Sequence, residues 1–241
     1  MFKKLILTIA LITICIPQCF VGGVEVDPSD YTDYRSYDYG VTVHPDPGVW
    51  TEEGNEFTIA WDIDNLGYTF HYQYAIGAGG TSVSWDNGVV MTDLEPLEGD
   101  LSHLILEVSD VFELSDLSGL TGAYIDELKL FQPPLSGEPG LPGDIFGIKF
   151  EGFEDDQVAF IGFYSPRVPE WGDFYAKDGG GTGASAVYAY NNGFGSDPTD
   201  PFLNWIVRPD TVVIPEPSTM VILGSSLVAV AIRRRKKKQQ A

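Results

Sequence analysis

Short runs in which apolar and polar residues alternate recur along most of this chain, and they are rich in aromatic and β-branched side chains. The clearest runs lie at 57–61, 68–74, 82–85, 145–150 and 158–164. Turn-forming sequences such as Asp-Asn-Gly and Gly-Ala-Gly-Gly separate them, which is typical of strands and hairpins. Evenly spaced short strands with little helix predict an all-β fold, an antiparallel β-sandwich of the jelly-roll type.

The strand signals divide the chain into regions. Residues 51–210 are the predicted sandwich, in which 103–108 is a strand and 109–117 contains at most one or two helical turns. Residues 132–143 are rich in Pro and Gly and predict a stiff surface loop. Residues 24–50, where tyrosines alternate with Asp and Ser, predict a loosely ordered segment before the sandwich.

The charges are distributed unevenly. The chain has 35 acidic and 14 basic residues, and eight of the basic residues lie in the terminal segments. The body at 24–214 therefore has six basic residues against 34 acidic ones, a formal net charge of −28. Such a body repels nucleic acid and anionic lipid, so no nucleic-acid partner is expected. Its 44% hydrophobic content still predicts a folded core.

The N-terminus has the pattern of a secretory signal peptide, residues 1–23. Lys3 and Lys4 precede an apolar run, Pro17 ends it, and small residues lead to cleavage after Gly23. Export through the Sec translocon follows, and removal of the segment takes away both cysteines. A lipoprotein signal at Cys19 and a retained N-terminal anchor are the alternatives.

The C-terminus carries a second apolar segment, 219–232, which precedes a run of basic residues. As a helix it measures about 21 Å, short of the roughly 30 Å hydrocarbon core, but snorkelling basic side chains extend its reach. Its apolar residues surround the helix axis, which favours a single transmembrane helix over an amphipathic surface helix. The basic cluster is a stop-transfer signal that stays in the cytoplasm. It comprises Arg233, Arg234, Arg235, Lys236, Lys237 and Lys238.

Pro215, Glu216 and Pro217 precede that apolar segment, and the prolines favour an extended, accessible backbone. Together with the helix and the basic end at 214–238, this triplet resembles the PEP-CTERM sorting domain of exported bacterial proteins. The resemblance implies an exosortase partner, a membrane protease-transpeptidase that processes the chain near the triplet. The region 145–210, which includes a Trp-Gly-Asp-Phe-Tyr-Ala-Lys-Asp-Gly run, also looks like what often precedes this tail.

No catalytic motif is present in the sequence. His44, His71 and His103 are widely spaced and favour structural positions over zinc binding. No Gly-x-Ser-x-Gly nucleophile elbow occurs. The chain is therefore expected not to be an enzyme, although its many acids leave open a carboxylate pair for glycoside hydrolysis.

Two binding hypotheses remain. Calcium, the one cofactor considered, could bind at acidic turns, 62–65 or 154–156, where hard oxygen ligands cluster. Exposed aromatic rings could stack on sugars, although most are expected in the core. The candidates are Trp50, Trp61, Trp85, Trp171 and Tyr190, with Asn191 and Asn192.

These features together predict an exported protein of the cell surface or extracellular matrix, held transiently in the inner membrane by its tail. The body is expected to be structural or associated with extracellular polysaccharide. A polysaccharide-active hydrolase with the same tail, and an uncut tail that serves as a plain anchor, are the alternatives.

Overall fold

The computed structural model describes residues 24–80, 83–86, 89–134, 137–155, 157–179 and 185–213. These residues form fifteen strands and a few single 3-10 turns, and no α-helix. The strands are β1 Thr32–Tyr37, β2 Gly40–His44, β3 Phe57–Asn65, β4 Phe70–Ala78, β5 Val83–Asp86, β6 Val89–Thr92, β7 Leu101–Glu107, β8 Ser118–Thr121, β9 Tyr124–Phe131, β10 Ile145–Glu151, β11 Ala159–Ser165, β12 Arg167–Gly172, β13 Phe174–Asp178, β14 Tyr188–Asn191 and β15 Ile206–Val213.

Eleven strands form one sheet in the order β8-β11-β4-β3-β1-β2-β14-β13-β7-β10-β9. The pairs are antiparallel except β1 with β2, which run parallel for two residue pairs. Two smaller antiparallel pairs, β12-β15 and β5-β6, complete the described strands. The sheet is therefore mixed, and the short β1-β2 contact connects its two halves.

The two edge strands of the large sheet are consecutive in the chain. β8 ends at Thr121 and β9 begins at Tyr124, so only Gly122 and Ala123 separate the two edges. The sheet must bend round until its edges meet at this link, which makes it nearly a closed barrel. Gly122 allows the turn because it has a φ of +80°, and a Cβ there would lie 2.0 Å from the carbonyl oxygen of Phe160.

The two halves of the sheet pack face to face around a common core. The rings of Phe163 and Phe150 lie 6.0 Å apart, although their strands β11 and β10 are not paired. Phe57 and Phe174 stack across the same interior at 5.9 Å. The all-β prediction is thus confirmed, but hydrogen bonds join the halves through β1, β2 and β14 instead of leaving two separate sheets.

The predicted loose segment 24–50 requires correction, because β1 and β2 lie in the middle of the sheet. Arg35 of β1 is 1% exposed; its guanidinium donates to the carbonyl of Phe202 and lies 4.9 Å from the centre of the Trp61 ring. The alternation of tyrosine with polar residues therefore marks a strand. The boundary of the folded body moves from residue 51 to about residue 24.

The structure adds detail to the predictions for the segment 109–117 and for the Pro/Gly-rich loop. In place of one or two helical turns, the segment 109–117 has a single 3-10 turn, Leu114–Asp116. The described part of the Pro/Gly-rich loop covers the outer side of the sheet, where Leu141 packs in a second apolar cluster with Ile105, Phe131 and Tyr175.

Candidate functional site

A polar pocket of about 240 Å³ opens beside the junction of β12 and β13. Four carboxylates line it, together with the guanidinium of Arg208 from β15. The carboxylates belong to Glu107, Asp144, Asp173 and Asp197. Below we call this site the acidic pocket.

Gly172 makes the close packing at this pocket possible. It ends β12, where the chain leaves the small β12-β15 sheet and continues as β13 in the large sheet. A Cβ at Gly172 would lie 2.0 Å from Nε of Arg208 and 2.6 Å from Oε2 of Glu107. Only glycine therefore lets these two charged groups meet above the backbone.

Asp173 holds the loop that forms one wall of the acidic pocket. Its Oδ1 accepts a hydrogen bond from Nδ2 of Asn191 at 2.7 Å, and its Oδ2 accepts one from the backbone N–H of Gly195 at 2.7 Å. Burial, and secondarily the negative charge of Glu107, raise the pKa of Asp173 to about 6. The carboxyl group is thus shielded from solvent and positioned by two donors.

Asn191 is completely buried and connects this carboxylate to the rest of the fold. Its Oδ1 accepts from the backbone N–H of Phe174 at 2.9 Å, and its Nδ2 also donates to the carbonyl of Asn204. One amide thereby ties together β13, β14 and the approach to β15. Such a fully bonded buried side chain fixes the loop geometry.

Arg208 is the buried cation of the site. Its Nε lies 3.3 Å from Oε2 of Glu107, and its Nη2 lies 3.3 Å from Oε2 of Glu170. Glu107 in turn accepts the backbone N–H of Asp173 at 2.7 Å. The inner charged groups are thus bonded to one another, whereas the carboxylates of Asp144 and Asp197 are exposed at the rim of the acidic pocket.

The arrangement suits a small, hydroxyl-rich ligand. Rim carboxylates accept hydrogen bonds from hydroxyl groups, and the pocket also has apolar lining from Trp171 and Trp205. Its volume lies below the roughly 300–1,000 Å³ of sites for drug-sized ligands. A single sugar unit or the end of a chain is therefore the size of ligand that fits.

The predicted sugar-stacking tryptophans lie mostly in the core. Trp50 and Trp61 have no exposed surface, and Trp171 is 2% exposed at the base of the acidic pocket. The side chain of Trp85 lies outside the described set. The expectation that most of these rings are core residues is therefore confirmed for the three that are described.

Tyr190, Asn191 and Asn192 follow one another but have different environments. Tyr190 is half-buried and stacks on Tyr188 at 6.4 Å, whereas Asn192 is exposed and accepts a hydrogen bond from Thr42. Only Asn191 reaches the acidic pocket, through Asp173.

The three histidines are separate, as expected. His44 stacks on Tyr188 at 4.8 Å and His71 stacks on Tyr164 at 4.3 Å, both on the outside of the sheet. His103 is 3% exposed, and burial, followed by the charges of Lys149 and Lys177, lowers its pKa to about 3. It is therefore a neutral buried residue at physiological pH.

In the two turns predicted to bind calcium, several carboxylates contact neighbouring side chains. Asp62 accepts the hydroxyl of Thr32, and Asp64 lies 3.6 Å from Nδ1 of His71. Glu154 accepts Nε2 of Gln157, while Asp156 lies outside the described residues. In the part of the chain that the structure describes, no three His, Cys, Asp or Glu side chains are grouped closely enough to hold a metal ion.

Sequence reasoning did not group Glu107, Asp173 and Arg208. The sequence did contain one indication of this group. Arg208 is one of only six basic residues in a strongly acidic body, and a buried cation needs carboxylate partners. Trp171, Gly172 and Asp173 also open the sequence run that resembles the region preceding the sorting tail, and all three line the acidic pocket.

The last described strand ends at the start of the tail. β15 ends at Val213, which pairs with Arg167 of β12. The predicted signal peptide, the Pro215-Glu216-Pro217 triplet, the transmembrane segment 219–232 and the basic cluster lie outside the described residues. Among the helices of the described ranges, none has the length and apolar content that crossing a bilayer requires.

Residues 213–236 match a family described as the PEP-CTERM protein-sorting motif. The match begins at the residue where β15 ends, so the motif follows the folded body directly. The resemblance inferred from the sequence is thereby confirmed. The motif identifies an exported protein of the class that an exosortase sorts through a membrane-anchored C-terminus. Comparisons with curated proteins and with solved structures gave no match.

Proposed function

We propose that this exported protein is a non-enzymatic component of the cell surface or extracellular matrix that binds polysaccharide through its acidic pocket. The observation that carries the proposal is the pocket itself, in which the exposed carboxylates of Asp144 and Asp197 lie at the rim and partly exposed Glu107 contacts the buried Asp173 and Arg208. The rigid network supports the rim, and the rim carboxylates supply acceptors for sugar hydroxyls. Repeating sugar units along a polymer would strengthen weak single-site binding.

Polysaccharide retention tests this role. Full-length protein is passed over immobilised exopolysaccharide from the source organism, and the retained fraction is measured. Asp144→Asn with Asp197→Asn should lower retention several-fold, because an amide offers fewer acceptors at each position. Glu52→Gln with Glu53→Gln, two exposed acids elsewhere on the body, is the charge-matched control and should bind as the unaltered chain does. Equal retention of both double variants would refute the pocket as the binding site.

The sorting step has its own proposal. We propose that residues 1–23 are removed after Sec-dependent export, that 219–232 spans the inner membrane, and that exosortase cuts near Glu216. Replacement of Glu216 by Gln in the native host should leave an unprocessed chain, seen as a larger mature mass. A tail that serves as a permanent anchor would instead give the same mass for both chains.

The second candidate function is glycoside hydrolysis. It is favoured by the proximity of Glu107 and Asp173 in one pocket and by the raised pKa of Asp173, since such enzymes use a protonated acid beside a second carboxylate. Both Asp173 oxygens, however, already accept structural hydrogen bonds, which supports the binding role. Release of reducing sugar that Glu107→Gln abolishes would establish the hydrolase.

We also propose that the fold needs no bound cofactor. Dialysis against a calcium chelator should then leave the melting temperature unchanged. A fall that added calcium restores would instead assign calcium to one of the acidic turns.

A further inference from the structure

Four exposed apolar side chains lie at one end of the folded body. Leu66, Tyr68, Val111 and Leu114 have side chains between 49 and 60% exposed, and half of the large exposed apolar residues of the described chain are in this group. Single exposed apolar residues are ordinary, but a group of them in one place marks a contact surface. Below we call this group the apolar end.

Strand register places Leu66 and Tyr68 beside the end of β11. The β3-β4 turn carries Leu66 and Tyr68, and its flanking pair is Asn65 with Phe70. Phe70 also pairs with Ser165, the last residue of β11. The turn therefore lies beside the end of β11, two residues before Arg167.

Arg167 links the other two residues to the same end. Its Nη2 donates to the carbonyl of Val111 at 2.9 Å, and its guanidinium pairs with Asp116 at the end of the 3-10 turn that begins with Leu114. The segment that carries Val111 and Leu114 is thereby bound to the start of β12.

The chain leaves the folded body at this end. Val213 pairs with Arg167, and the next residues lead into the sorting motif. Five residues lie between Val213 and the start of the apolar segment at Thr219, a distance of six residue steps. They can span at most about 20 Å when fully extended. While the tail is anchored, the apolar end therefore lies on the side of the body from which the tail reaches the membrane.

We propose that the apolar end docks on the lipid surface before the tail is processed and holds the sorting motif at that surface. This inference rests on the membrane-anchored tail of the proposed function. The occupant is the headgroup–hydrocarbon boundary of an uncharged bilayer, because aromatic and aliphatic side chains insert there. Asp64, Asp110 and Glu113 are exposed near the four residues and oppose an anionic surface.

Tyr68 and Tyr124 provide a matched pair for the test, since both are 54% exposed. Tyr124 follows the Gly122-Ala123 link, and Gly122 contacts Phe160 near the start of β11, at the opposite end of that strand from Ser165. The two tyrosines are thus separated by about the length of a seven-residue strand, roughly 23 Å.

The experiment uses the chain from residue 24 to its C-terminus, which contains no cysteine, with one new cysteine at Tyr68→Cys or Tyr124→Cys. Each carries a fluorophore, and the chain is reconstituted through its tail into phosphatidylcholine vesicles that contain a lipid-borne quencher. Flotation of the vesicles reports anchoring, and quenching reports docking. We expect co-flotation of both proteins and several-fold stronger quenching at position 68 than at position 124.

A triple variant tests the surface itself. Leu66→Ser, Val111→Ser and Leu114→Ser, added to the position 68 label, should abolish the excess quenching while flotation and the urea midpoint stay unchanged. Part replacement of phosphatidylcholine by phosphatidylglycerol should weaken quenching at position 68, and an increase would contradict the proposal.

Failure of the docking surface and failure of the anchored tail give different results. Flotation with equal quenching at positions 68 and 124 overturns the docking surface and leaves membrane-anchored sorting intact; a patch that binds only the processing enzyme gives this result. Loss of flotation overturns the anchored tail, and the docking proposal with it.

Discussion

Arg167 pairs with Val213 across the β12-β15 ladder, while its guanidinium bonds the carbonyl of Val111 and pairs with Asp116. One residue thus joins the strand that leads to the sorting motif and the segment that closes the same end of the sheet. Arg167 is 4% exposed, so these contacts are largely shielded from water.

Replacement of Arg167 by Met should destabilise the protein. The change leaves Asp116 without its guanidinium partner, and loss of one member of a shielded pair costs roughly 3 kcal/mol. Urea unfolding measures the loss, and hydrogen exchange should speed up most at 111–117. Lys129→Met is the control, because its exposed pair with Glu127 should contribute less than about 1 kcal/mol. A similar cost for both variants would contradict the assignment.

A side chain at Gly122 should disrupt the link between the edge strands. Gly122→Ala incurs a positive-φ cost of about 1–2 kcal/mol and a clash with the Phe160 carbonyl that adds about 1–3 kcal/mol. Gly54 has a similar φ of +84° with nothing within 4 Å of its Cβ position, so Gly54→Ala isolates the first cost. Equal urea midpoints for the two variants would show that the link tolerates a side chain.

His103 should make the protein sensitive to acid. Its folded pKa of about 3 lies below the ordinary value of 6.5, so the unfolded chain gains the proton first as pH falls. Stability is therefore complete above pH 6.5 and declines toward pH 3, by roughly 2 kcal/mol at pH 5. Nearby Glu138 does not reverse the direction, since Lys149 lies 3.7 Å from the same carboxylate. Urea titrations of His103→Phe should show a smaller decline; an unchanged decline would refute the attribution.

Asp173 should have the opposite effect on the pH dependence of stability, because its contribution should fall as pH rises. Its folded pKa of about 6 exceeds the ordinary 3.8, so the unfolded chain loses the proton first as pH rises. Its contribution to stability therefore falls between pH 3.8 and pH 6, by up to about 3 kcal/mol. The difference in unfolding free energy between the unaltered chain and Asp173→Asn, measured from pH 4 to pH 7, should shrink accordingly. A difference that stays constant from pH 4 to pH 7 would argue against Asp173.

Local patterns predicted the strands well, because alternation at 57–61 or 145–150 depends only on neighbouring residues. The order of the strands depends on pairings between distant segments. The two-residue link between β8 and β9 brings the sheet edges together, and alternation along the chain does not encode this closure. The buried Arg35 made β1 hard to predict for a similar reason. A charged residue normally indicates a solvent-exposed position, and the tertiary contacts of Arg35 with the Trp61 ring and the Phe202 carbonyl do not follow from local sequence.

The acidic pocket was equally hard to foresee. Glu107, Asp173 and Arg208 come from three separate strands or strand ends, and no spacing along the chain relates them. The tail, in contrast, is a linear signal whose triplet, apolar segment and basic end adjoin one another, and it was recognisable from its residues alone.

The charged edge of the large sheet has a consequence for how copies of the folded body meet one another. β8 and β9 are the edge strands of the large sheet, but β9 bears Asp126, Glu127 and Lys129, and charged side chains on an edge strand oppose pairing with a neighbouring chain. Copies packed side by side should consequently resist fibril formation and remain individually folded.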